Sequence, residues 1–142
     1  MDTPMAHSGI TTAATAAGES IRWIRRIVLM NLGLVALQAL SAGFFMSGYG
    51  RAVTIHADVA GALLLGVLAQ AAAAILLWRR RRVPAWMARA GVGLLLIMVL
   101  QVGAGYTRRY WLHVPIGVGL FGGLMRQTSR LDALSRRAAP RP

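Results

Sequence analysis

The sequence predicts an all-α fold, an integral membrane up-down four-helix bundle built from two parallel helix-pair repeats. Three observations lead there. The 142 residues are 56% hydrophobic with a mean hydropathy of +0.55, too apolar for an ordinary soluble domain. Long runs of Ala, Val, Leu, Ile and Gly are broken only by short Arg-rich patches, and about 20 apolar residues are what a hydrocarbon layer about 30 Å thick demands of a helix. Finally, the chain repeats itself: "LQALSAGF" at 37–44 resembles "LQVGAGY" at 100–106, and each leads across a short turn into a histidine-headed segment, "HADVAGALLLG" from His56 and "HVPIGVGLFGG" from His113.

The elements follow in order. Residues 1–20, "MDTPMAHSGITTAATAAGES", are small and polar and lack an apolar period, which predicts a mobile cytoplasmic tail in which His7 is incidental. The transmembrane domain is read as 21–126. It opens with "IRWIRR", three arginines resembling the n-region of a signal sequence. The run from Ile27 to about Met46 is nevertheless long enough to span, which favours an uncleaved first helix and leaves processing near "LSAG" open. "SGYGR" at 47–51 turns the chain into a second span, about Ala52 to Trp78. "RRRR" at 79–82 ends that span, and Pro84 opens a third, about Ala85 to Gly105. After "YTRRY" comes the fourth, Trp111 to about Met125, short for a span. The segment 127–142 reads as a basic cytoplasmic tail that continues for some distance as an interfacial helix.

Charge sets the orientation. The net charge is +12 and every basic residue is arginine. With a cytoplasmic N-terminus the inner side holds thirteen of the 16 arginines and the outer side three, Arg51, Arg108 and Arg109, a strong positive-inside bias. Both termini then lie in the cytoplasm. Because the arginines cluster at the ends of apolar segments, where lipid headgroups want them, the basic balance argues for the bilayer and against nucleic acid as partner. The absence of cysteine excludes disulfides, thiolate chemistry and Cys-ligated clusters.

Two histidines at matching depths carry the chemistry. His56 lies about four residues into the second helix and His113 two or three into the fourth, depths that agree within a turn at about 1.5 Å per residue. In a four-helix bundle these helices face each other across the middle, so two imidazoles can reach one haem iron from opposite sides. Ala60 and Gly117, one turn below each histidine, leave room for the ring edge. Arg51, Arg108 and Arg109 sit above the pair, where they can meet the haem propionates. Gln38 and Gln101 can bond across the bundle or to a histidine's second nitrogen. Tyr110 and Trp111 read first as an interfacial belt. Asp58 points about 200° around its helix from His56 and has no assigned role. Zinc or copper is disfavoured because two ligands do not fill a tetrahedral site.

The paired motif of "LQ…AG", outer turn and histidine, covering about residues 27–125, resembles one four-helix half of haem A synthase, and also small uncharacterised bacterial four-span membrane proteins with the same repeat. In the synthase each half holds histidines at the outer ends of its second and fourth helices, positions that match His56 and His113. The resemblance implies a haem-b-holding scaffold in the bacterial inner membrane. The synthase has eight helices, a catalytic Glu in an outer segment and often a Cys pair, whereas this chain has no Cys and no Glu after Glu19, which argues against haem A synthesis by this chain alone. The expected function is a membrane b-type cytochrome-like protein with one haem between helices two and four near the outer face, for electron transfer or haem handling rather than as a complete enzyme. Its expected partners are the bilayer, a quinone or redox protein, and a second copy of itself. The competing expectation is a cofactor-free small membrane protein that assembles with a larger complex.

Overall fold

The computed structural model describes the backbone of residues 5–138 and the side chains of residues 15–136. Four helices make up nearly all of it: α1 (Met5–Met46), α2 (Ala52–Arg79), α3 (Ala85–Tyr106) and α4 (Tyr110–Ala138), with no strand among the described residues. α1 packs on α2 and α4, and α3 packs on the same two, so the helices close into a ring with α2 diagonally opposite α4. Residues 15–46 of α1, all of α2 and all of α3 are long and apolar enough to cross a membrane. α4 is not among these segments: His113 and Pro115 interrupt its apolar stretch and Arg126 closes it. The expectation of four spans is therefore met in length and composition by three helices.

Both ends of the domain extend further than expected. The stretch read as a mobile tail is helical from Met5, and Ser20 within it is buried. "TTAATAA" lacks an apolar period, yet it is rich in alanine, the best helix former, and it continues a helix already nucleated downstream. At the other end Gln127 and Leu131 are buried and Asp132 accepts a hydrogen bond from Arg25 Nε at 2.6 Å. The first turns of the presumed basic tail thus belong to the bundle. Residues 1–4 and 139–142 of the two expected tails lie outside the described residues.

The packing is apolar on the outside as well as in the core, and a short polar seam runs through the apolar interior. Leu40, Phe44, Leu65, Leu76, Leu96, Leu100 and Val118 are exposed, while Asn31, Gln70 and Gln127 are almost completely buried. Asn31 Nδ2 donates to Gln70 Oε1 and Gln70 Nε2 donates to Gln127 Oε1, each at 2.9 Å. This amide chain ties α1 to α2 and then reaches the diagonal helix α4. Small residues allow the close approach. A Cβ on Gly66 would run into the Asn31 carboxamide, one on Gly91 would lie 3.0 Å from the Ala71 backbone, and one on Gly123 would lie 2.9 Å from Leu94. Small residues at helix contacts serve the same purpose in membrane bundles generally.

The inter-helix turns share one geometry. After α1, Tyr49 N–H donates to Phe44 O and Gly48 has φ +92°; after α2, Arg82 N–H donates to Leu77 O and Arg81 has φ +56°; after α3, Arg109 N–H donates to Ala104 O and Arg108 has φ +56°. These are left-handed helix caps of the Schellman type, in which glycine is the usual occupant. Two arginines therefore hold a backbone conformation that costs an L-residue about 1–2 kcal/mol.

Two outcomes follow. In detergent-resistance unfolding, Gly48→Ala destabilises the bundle by about 1 kcal/mol whereas Arg81→Gly and Arg108→Gly are neutral or stabilising. Asn31→Ala, which strands Gln70 Oε1 without its donor, costs about 1–3 kcal/mol in the same assay.

Candidate functional site

The residues that share the ring axis are related by two constant offsets. In α2 and α4 the buried pairs Leu63/Leu120, Val67/Leu124, Gln70/Gln127 and Ala74/Leu131 are each 57 residues apart. In α1 and α3 the buried pairs Ile24/Met87, Val35/Met98 and Ser41/Ala104 are each 63 apart. The inward faces of the two helix pairs therefore repeat position by position. His56 and His113 stand 57 apart and Gln38 and Gln101 stand 63 apart, so the same offsets that pair the core also pair the candidate ligands.

The two imidazoles meet at one end of the bundle. Their ring centroids are 6.1 Å apart and their planes are inclined by 59°. Both rings are half-buried. His56 Nδ1 lies 3.2 Å from Gln38 O and 3.1 Å from Ser41 Oγ, while Ser41 Oγ itself donates to Gln38 O at 3.0 Å. His113 Nδ1 lies 2.9 Å from Gln101 O. A carbonyl only accepts, so each Nδ1 carries the proton and each Nε2 presents its lone pair. Two helix ends thus anchor two rings by the same backbone acceptor, and both rings are left with the nitrogen that binds metals free of its proton.

The two halves differ in detail. Where α1 has Ser41 to share the His56 Nδ1 proton, α3 has Ala104, which cannot. α3 instead sends the Gln101 side chain to the other nitrogen: its Nε2 donates to His113 Nε2 at 3.3 Å. His56 Nε2 has no hydrogen-bond partner among the described residues. The side-chain oxygens of Gln38 and Gln101 are both buried without a partner.

Several expectations are refined by this arrangement. The glutamines do reach the histidines, but through their backbone carbonyls in both cases and through the side chain only at Gln101. Gly117 does not leave an empty slot: a Cβ there would lie 2.9 Å from Gln101 Nε2, so the space it vacates is taken by that amide. Gly105 opens room for His113 itself, whose ring would be 2.9 Å from an added Cβ. Ala60 is half-buried one turn beyond His56. Arg51, Arg108 and Arg109 are all exposed and form no ion pair within the described residues. They stand within about a turn and a half of the histidines, since His113 N–H donates to Arg109 O and Arg51 precedes the first turn of α2. Asp58 is exposed on the outside of α2 and takes no part in the site. No group of three or more His, Cys, Asp or Glu side chains gathers among the described residues.

Sequence reasoning missed Ser41 and the Asn31–Gln70–Gln127 chain. Ser41 lies inside "LQALSAGF", but its counterpart in the second half is the apolar Ala104, so the repeat does not single it out. Gln70 and Gln127 were findable, since each follows its histidine by fourteen residues, four helical turns on the same face.

Imidazole nitrogen resonances in a histidine-labelled sample report the tautomer directly. The expected spectrum shows His56 and His113 both protonated at Nδ1, and Gly105→Val shifts the His113 signals while leaving those of His56 in place. Protonation of either ring at Nε2 contradicts the anchoring described above. Comparison of the chain with protein-family models, with characterised proteins and with solved structures returns no match.

Proposed function

We propose that the chain is a membrane b-type cytochrome-like protein that holds one haem b between α2 and α4, near the outer face, for electron transfer or haem handling. The observation that carries this reading is the histidine pair: two half-buried imidazoles on diagonal helices, 6.1 Å apart by centroid, each with Nδ1 tied to a backbone carbonyl.

Membrane insertion is supported by the apolar exterior and by the placement of the amides inside. Exposed leucines, valines and phenylalanines around a buried amide chain suit a surround of lipid tails, in which polar groups must be satisfied inside. Connections of only a few residues between successive helices favour an up-down arrangement with both termini on one side, and the arginine bias places that side in the cytoplasm. The short apolar part of α4 is accommodated if Arg126 snorkels to the interface.

The donor set fits a haem iron. The two ring centroids lie 6.1 Å apart, close enough that one iron could be held by a nitrogen of each ring. The lone-pair nitrogens are the Nε2 atoms, and the Nδ1–H donated to Gln38 O or Gln101 O makes each ring a stronger ligand and fixes its rotation. His56 and His113 would hold the haem iron, with Arg51, Arg108 and Arg109 the cations available to the propionates. The Gln101 amide has to leave His113 Nε2 for that nitrogen to coordinate. Bound haem supplies a one-electron iron couple. The remaining work belongs to the chain: Gln38 and Gln101 orient the rings, and the surrounding apolar side chains limit water. A quinone, a redox protein or a second copy of the chain would take the electron onward. The resemblance to one half of haem A synthase points to the same two histidines.

The purified protein, expressed with ample haem, is expected to show a Soret band and a reduced-minus-oxidised b-type spectrum at one haem per chain. His56→Ala and His113→Ala each abolish the six-coordinate spectrum. Gln101→Ala retains haem, because the anchoring carbonyl survives and the competing amide is gone. A colourless protein that is folded by circular dichroism overturns the proposal and leaves the cofactor-free assembly partner as the reading.

A further inference from the structure

The Arg79–Arg82 run leads into the α2–α3 turn. An open cleft of about 410 Å³ lies at the α2–α3 turn, lined by Trp78, Arg81, Arg82, Val83, Pro84 and Ala85. Val83 is buried and gives it an apolar base, while Trp78 is partly exposed beside it. The arginines of this turn form no ion pair among the described residues. The chain has four acidic residues in all. Of those described, Asp132 is engaged by Arg25 and neither Glu19 nor Asp58 forms an ion pair. Cationic groups concentrated in one cleft without internal counterions will attract an anion from outside.

Arg81 adds a second reason. It occupies the left-handed position of its turn, with φ +56°, in a chain whose first turn uses Gly48 for the same position and which contains 16 glycines. The side chain is held there at a backbone cost that glycine would remove. Arg81, its neighbour Arg82 and Trp78 all line the cleft. That combination recognises a phosphate group sitting at the edge of an apolar layer: guanidinium forks bond its oxygens, and the tryptophan sits at headgroup level.

We infer that this cleft binds a phosphate anion, and that in the membrane the phosphate is the headgroup of an anionic phospholipid. The site is at the opposite end of α2 from His56 and does not depend on what the histidines hold. It anchors the α2–α3 turn to one lipid and fixes the depth of both helices.

The test uses the full chain in nanodiscs of phosphatidylcholine doped with phosphatidylglycerol, with native mass spectrometry counting the retained lipid. Retention of phosphatidylglycerol is expected to fall by about fivefold for each arginine removed in Arg81→Gly and in Arg81→Gly/Arg82→Gln. Arg51→Gln, which removes the same charge at the other end of α2, leaves retention unchanged. Because glycine suits the position, an unchanged or raised unfolding midpoint for Arg81→Gly separates lost binding from lost folding. Inorganic phosphate titrated into the phosphatidylglycerol-doped discs, and in parallel into phosphatidylcholine-only discs, distinguishes the sources. Retained phosphatidylglycerol that phosphate does not displace assigns the site to the headgroup, and phosphate that binds alone and displaces the lipid assigns it to the free anion. Equal retention by wild type and the double variant, or an equal loss in Arg51→Gln, overturns the inference.

Discussion

A polar atom that cannot reach water has to be satisfied by the chain itself, and in this bundle that requirement decides where the inward-facing polar side chains go. An unsatisfied amide or imidazole in an apolar surround costs a few kcal/mol, comparable with a sizeable share of a small domain's stability. Asn31, Gln70 and Gln127 meet the requirement in part by bonding one another from three helices, with Asn31 Oδ1 and Gln127 Nε2 left buried without a partner among the described residues. The two histidines meet it by returning a proton to a backbone carbonyl on the preceding helix. Even the Arg25–Asp132 pair follows the rule, in a partly exposed setting where it contributes about 0.2–1 kcal/mol.

The same rule gives the duplicated inward face its consequences. Positions 57 apart in α2 and α4 face the same axis, so a polar residue at one finds its equivalent opposite. The glutamines at 70 and 127 become a hydrogen-bonded pair, and the histidines at 56 and 113 become neighbouring rings. Where the two halves diverge, the chemistry diverges as well. Ser41 shares the proton of His56, while Ala104 leaves that task to the carbonyl alone and the Gln101 amide turns to the far nitrogen of His113. Two rings in near-equivalent places thus differ in how available their lone pairs are.

The turns connect this interior to the surface. α1, α2 and α3 each stop with one left-handed residue, glycine in the first turn and arginine in the other two. Arg108 is close in sequence to His113 and Arg81 lines the cleft at the other end, so each of these costly backbone positions places a cation beside one of the two candidate sites. Small residues play the complementary part inside, where Gly66, Gly91, Gly117 and Gly123 each make room for a specific neighbour.

Much of this was legible in the residues. Apolar run lengths determined the helices, arginine placement determined their ends, and the "LQ…AG…H" repeat singled out His56, His113, Gln38 and Gln101, because these are local or periodic properties that survive without coordinates. The helical reach of α1 back to Met5 was not legible, since helix propensity in an alanine-rich segment needs the downstream helix to nucleate it. Only the tertiary structure decided which atoms meet. The anchoring acceptor is the glutamine carbonyl rather than its amide, Gly117 is filled by Gln101, and Asn31 joins a polar chain whose counterpart position holds Leu94. Those outcomes depend on side-chain direction and on distances between helices, and a one-dimensional pattern fixes the face a residue occupies but not the partner waiting there.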